Sequence, residues 1–109
     1  MEVRKVGAIA VVKVLTRVDA NSAKEMEAKI QELMSTGTTK MICDFSENEY
    51  ISSAGLRVFL TVLKAMKKTG GSIVLCSLKS YVLEVFDMAG FSPLFCIFDT
   101  VDVGIKELS

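Results

Sequence analysis

The strongest constraint on the fold is an alternation that runs the length of the 109-residue chain. Short runs carrying Val, Ile and other apolar residues, each too brief for a core helix, are separated by segments whose apolar residues recur at helical spacing. The short runs are residues 2–6, 8–15, 40–44, 72–76 and 94–98. The helical stripes are Ala23, Met26, Ile30, Leu33 and Met34; then Leu56, Phe59, Leu60, Leu63 and Met66; then Val82, Val85, Phe86 and Ala89. Val101, Ile105 and Leu108 make a last short stripe. The order is β-β-α-β-α-β-α-β-α. Strands alternating with helices imply parallel strands joined by right-handed crossovers, with the opening hairpin adding an antiparallel edge. The chain is thus expected to be an α/β protein with a mixed, mostly parallel sheet and flanking helices. No linker, repeat or low-complexity tract interrupts it, so residues 1–109 read as one domain.

Local signals place the boundaries. Ser22 followed three residues later by Glu25 reads as a capping box, with Gly37 as the stop of that helix. Residues 46–50 read as a polar loop, and Ser52 as the start of a helix that ends at Gly70-Gly71. Gly90 stops the third helix, Pro93 opens the last strand, and Asp99 or Thr100 caps the final helix.

Composition excludes several kinds of function. Thirteen basic and thirteen acidic residues cancel, which argues against nucleic acid or an anionic membrane as partner. Lys64, Lys67 and Lys68 read as the wet face of a helix. Glu2, Arg4, Lys5 and Lys13 interrupt every early apolar stretch, so neither a signal peptide nor a membrane span is expected. Cys43, Cys76 and Cys96 sit among apolar residues and read as reduced thiols packed as small hydrophobes in a cytoplasmic protein. With no His and no Cys-x-x-Cys pair, a zinc site or redox motif has almost no support, and Ser-His-Asp or Cys-His arrangements cannot be built. No glycine-rich phosphate loop is present, which leaves nucleotide binding without a motif. Asp44 at a strand end could suggest a phospho-accepting aspartate, but the additional acids that would hold magnesium after the first strand are missing. The expectation is a binding protein without cofactor, not an enzyme.

One segment stands apart, residues 44–57, with the sequence Asp-Phe-Ser-Glu-Asn-Glu-Tyr-Ile-Ser-Ser-Ala-Gly-Leu-Arg. A strand ends, a loop runs, and two serines stand where a helix begins. Ser52 can be simply the N-cap, and Gly55 a close-packing residue. Glycine in a first turn costs up to about 1 kcal/mol relative to alanine, however. The run Ser52, Ser53, Ala54, Gly55 also leaves a helix start sterically open, with unpaired N–H groups suited to a phosphate.

The same stretch resembles the signature of the STAS family, specifically the bacterial anti-sigma factor antagonists. Their pattern is Asp-Leu-Ser, a short loop, an apolar pair, then Asp-Ser-Ser/Thr-Gly-Leu. Residues 16–20, Thr-Arg-Val-Asp-Ala, are similar to the Gly-Arg-Leu-Asp-Ala that precedes the family's first helix. Gly70-Gly71, residues 85–91 and residues 94–99 resemble its later elements. The resemblance implies the STAS fold and a phosphorylatable serine after the signature Asp, which falls on Ser53, with Ser52 as the alternative. It implies contact with the partner through Asp19, Asp44, Ser52, Ser53, Ala54, Gly55 and Arg57. The implied partners are an anti-sigma factor with serine kinase activity and a metal-dependent serine phosphatase. Apart from the resemblance, a single set of periodic apolar faces with no leftover amphipathic helix predicts a monomer when free. Two departures stand out: Ser52 where the family most often has Asp, and Ala54 where it has Ser or Thr. The loss of the signature Asp supports a competing expectation, a non-switching STAS subunit of a larger signalling or transporter-associated assembly.

Overall fold

Val3–Val6 (β1) and Ile9–Lys13 (β2) pair antiparallel through a two-residue turn in which Gly7 adopts φ +61°. A left-handed residue is what lets so tight a turn follow the twist of its strands. The computed structural model describes all 109 residues, and the chain continues through Arg17–Val18 (β3), Ala20–Ser35 (α1), Lys40–Asp44 (β4) and Tyr50–Ile51 (β5). Ser53–Lys68 (α2), Ser72–Cys76 (β6), Ser80–Met88 (α3), Cys96–Phe98 (β7) and Val101–Leu108 (α4) complete it. The main sheet has the order β1-β2-β4-β6-β7, with β2, β4, β6 and β7 mutually parallel. The expected mixed sheet with an antiparallel hairpin at its edge is what the chain forms.

Alternation along β4 shows how the layers are built. Met41 and Cys43 point into the larger core, with Phe45, Phe59 and Phe86 stacked edge to tilted face, and that core is covered by α1, α2 and α3. Ile42 points to the other face, where it meets Ile9, Val11, Val74 and Cys76 beneath α4. Both faces of the central strands are therefore buried, which is why they read as continuous apolar runs. Gly104 lets α4 lie this close: a Cβ there would stand 2.6 Å from the Cys76 sulfur. In register, Lys13, Asp44 and Cys76 align at the C-terminal edge of the sheet, and the loops leaving that edge build the candidate site.

Four details differ from the sequence reading. The first helix is capped by Asp19, not Ser22; Ser22 is the third residue of the box, its hydroxyl accepting the Asp19 N–H at 2.9 Å. The Asp19 carboxylate accepts the Asn21 and Ser22 amides, each at 3.0 Å, so the helix begins three residues earlier than the Ser22–Glu25 pattern suggests. Pro93 lies in a one-turn 3-10 helix, Ser92–Leu94, and the last strand begins only at Cys96. The fixed φ and missing N–H of proline suit a tight turn better than a strand. Cys96 is exposed, because β7 is the sheet's edge, whereas Cys43 and Cys76 are buried. Finally, β3 and β5 form a separate two-stranded parallel sheet, inside what reads as loop.

Candidate phosphorylation and binding surface

The small sheet decides where the serines lie. Arg17 pairs with Tyr50 and Val18 with Ile51, and the Ser52 amide then donates to the Val18 carbonyl at 2.8 Å. Residues 19 and 52 therefore leave the sheet side by side, each as the N-cap of its helix. The Arg17 guanidinium lies 4.2 Å from the Tyr50 ring centre and 3.8 Å from the Asp19 carboxylate. The Ser22 amide and hydroxyl, the Asn21 amide and then Arg17 hold the Asp19 carboxyl below its usual value.

Asn48 holds this arrangement from beneath. It is fully buried, and its side-chain amide donates to the Leu15 carbonyl at 2.8 Å and the Tyr50 carbonyl at 3.1 Å. It thus ties the segment before β3 to β5. Its carbonyl oxygen has no partner, so the two bonds come with an unmet acceptor. Nothing in the local sequence pattern singles out Asn48 among the polar residues of 46–50.

The two serines have different surroundings. Ser52 is half-buried and its hydroxyl accepts the Gly55 amide at 3.2 Å, the ordinary work of an N-cap. Ser53 is the first residue of α2, exposed, and its hydroxyl makes no hydrogen bond within the chain. Gly55 is buried because α2 starts directly against the small sheet. A Cβ there would stand 2.7 Å from Val18 Cγ1 and 2.8 Å from Ile51 Cγ1. This contact explains a glycine in a first helical turn. Ala54 and Arg57 line a groove of about 260 Å³ between α1 and α2, facing Ala20, Ala23, Lys24 and Glu27.

The structure thus brings Asp19, Ser52, Ser53, Ala54, Gly55 and Arg57 to one corner, where α1 and α2 begin. Asp44 is placed differently. Its carboxylate accepts the Ser46 amide at 2.9 Å and lines another hollow, about 450 Å³, with Glu2, Arg4 and Lys13. Lys13 bonds Glu47 at 2.7 Å, which raises its pKa. No three His, Cys, Asp or Glu side chains gather where they could hold a metal ion, and no helix is long and apolar enough to cross a membrane.

The sequence model of the STAS domain matches residues 1–104. The chain belongs to the STAS domain family. Among relatives of this STAS chain, BtrV of Bordetella bronchiseptica, which carries the name of an anti-sigma factor antagonist, is 40% identical over 78 residues, 72% of this chain and 67% of BtrV. The anti-sigma-B factor antagonist of Bacillus subtilis is 30% identical over 96 residues, 88% of this chain and 82% of its own length. The fold matches that of the anti-sigma factor antagonist SpoIIAA in its unphosphorylated form, with a TM-score of 0.85, 20% identity, and coverage of 97% of this chain and 93% of that one. The phosphorylated form of SpoIIAA matches with a TM-score of 0.79, 19% identity, and coverage of 99% and 98%. The STAS assignment and the kinship to anti-sigma factor antagonists agree with what residues 44–57 imply.

Proposed function

We propose that this STAS domain, residues 1–109 acting as one unit, is an anti-sigma factor antagonist switched by phosphorylation of Ser53. Unphosphorylated, it binds in the cytoplasm an anti-sigma factor that is also a serine kinase, and so frees a sigma factor. The observation that carries the reading is the contrast between the serines. Ser53 offers an exposed, unengaged hydroxyl at an open helix start, whereas the Ser52 hydroxyl is committed to its cap. In the kinase the Ser53 oxygen attacks the γ-phosphorus of ATP. The bond from that phosphorus to the ADP oxygen breaks, and the hydroxyl proton is released. A metal-dependent phosphatase reverses the state with water, giving back the hydroxyl and inorganic phosphate. The chain is substrate and ligand, not catalyst.

The switch acts through charge. A phosphoserine carries about −1.5 to −2 charges at neutral pH. At the first residue of α2 that charge meets free amides and the positive end of the helix dipole, a favourable place by about 0.3–1 kcal/mol. The fold tolerates it. A partner surface that closes over Ser53, Ala54 and Asp19 does not, because desolvating the phosphate there costs several kcal/mol. That SpoIIAA is known in both phosphorylated and unphosphorylated forms with this fold supports a switch that leaves the architecture in place. Asp19 and Arg57 supply charged contacts beside the serine, and Asp44, with Lys13 and Glu47, forms a second contact at the same sheet edge.

Ser52 in place of the signature Asp favours a second reading, a STAS subunit of a fixed assembly that is not phosphorylated. Affinity capture from native cytosol with ADP or with ATP, read by mass spectrometry, separates the two. Recovery of a serine kinase with ADP and its loss with ATP supports the switch. Recovery of the same multi-subunit assembly with either nucleotide overturns it.

A further inference from the structure

We infer that a phosphate on Ser53 is held within the same helix by Arg57, so that the modification also withdraws this cation from the binding surface. The inference rests on the reading of Ser53 as the phosphoryl acceptor and specifies how the modified site is stabilised. Ser53 is the first residue of α2 and Arg57 lies four residues on; side chains so spaced share one face of a helix. Both are exposed. An acid N-terminal to its base at this spacing is the favourable order. The planar guanidinium can offer two parallel N–H donors to phosphate oxygens.

Arg57 is free to do this. The ion pairs of the chain are those of Lys13 and Arg17, and no hydrogen bond from the Arg57 side chain forms. No acidic residue stands in the first turn of α2 to compete. From α1, Lys24 and Glu27 reach the same groove with opposite charges, and Asp19 is engaged by its own helix amides and Arg17. From the β5 side, Tyr50 is covered by Arg17. Ser52 lacks this partner: it stands five positions before Arg57, off the i, i+4 spacing, and its hydroxyl accepts the Gly55 amide. In the unmodified protein Arg57 remains available at the mouth of the α1–α2 groove, beside the serine that the kinase must reach.

The test needs no kinase. Phosphoserine is incorporated at position 53 during translation, and its second ionisation is followed by phosphorus-31 NMR between pH 4.5 and 8. A cation in contact favours the dianion, so Arg57→Gln should raise that pKa by about 0.3 unit, the size of one such helical pair. Arg57→Lys should keep most of the depression, and Lys64→Gln, an equal change of net charge farther along α2, should leave it unchanged. Arg57→Gln titrating with the parent, or shifting no more than Lys64→Gln, overturns the pairing. Should the shift appear while the phosphoserine protein binds the anti-sigma kinase as tightly as the unmodified one, the pairing stands and the switch falls.

Discussion

Replacing Gly55 by alanine sets two effects of opposite sign against each other. Helix propensity favours alanine by up to about 1 kcal/mol, and less in a first turn. Packing opposes it: the new Cβ would stand 2.7 Å from Val18 Cγ1, 2.8 Å from Ile51 Cγ1 and 3.3 Å from Ile51 Cδ1. Carbon atoms settle at roughly 3.5–4.0 Å, so α2 must retreat from the small sheet by most of an ångström or both side chains must leave their rotamers. Val18 is fully buried and Ile51 nearly so, which leaves little room to yield. Overpacking of this kind costs about 1–3 kcal/mol, so a net loss of about 1–2 kcal/mol is expected. At about 2.1 cal/mol/K per residue, 109 residues give an unfolding entropy near 0.23 kcal/mol/K, and the Tm should fall by about 4–9 °C. Calorimetry on the wild type and Gly55→Ala measures it. Val18→Ala should cost less in the Gly55→Ala background than in the wild type, a coupling that a double-mutant cycle reads directly. A Tm for Gly55→Ala at or above wild type would show that propensity outweighs the contact and that α2 is not wedged against β3 and β5.

Other perturbations probe the rest of the site. Asn48→Ala leaves the Leu15 and Tyr50 carbonyls without their donor and should cost about 1–3 kcal/mol in urea unfolding, with amide exchange at Ser52 accelerating more than exchange in β4; an unchanged midpoint would contradict the role given to Asn48. Because its folded pKa is depressed, Asp19 contributes stability that is present above the ordinary carboxyl range and lost as pH falls through the folded value. Below about pH 4 the Tm of Asp19→Asn should therefore decline less steeply than that of wild type, and parallel curves would refute the cap. Burial pushes the Cys76 thiol up to about 11 and the Cys43 thiol higher still, while Cys96 lies exposed. Maleimide should add once to the native protein and three times in denaturant, as read by intact mass; double addition to the folded chain would contradict the burial of Cys43 and Cys76, and no addition would count against the β7 edge.

Strands and helices of the main sheet were legible because each core position repeats at the period of its element. Lys40–Asp44 and Ser72–Cys76 are buried on both faces and stand out as apolar runs, and the stripe from Leu56 to Met66 is long enough to show a helix. The small sheet was not legible, since two residues per strand carry no period; its signal is hydrogen bonding between Thr16, Val18 and residues 49–52, which composition does not encode. Ser22–Glu25 matches a capping pattern, yet Asp19 wins because a carboxylate accepts two first-turn amides at once. Cys96 has apolar neighbours in sequence but none outward of the edge strand. The serine corner was half legible: Gly55 signalled close packing, whereas Asn48 and the cation of Arg17 over Tyr50 depend on contacts that only the fold creates.

The role of Ser53 is tested most directly by titration calorimetry of the purified anti-sigma kinase with wild type, Ser53→Ala and Ser53→Asp, alongside mapping of the phosphate after incubation with ATP. Ser53→Ala should bind like wild type and accept no phosphate. Ser53→Asp should bind about a hundredfold more weakly, near 2.7 kcal/mol, and melt no lower than wild type. Wild-type affinity in Ser53→Asp, or a phosphate mapped to Ser52 or elsewhere, would contradict the switch.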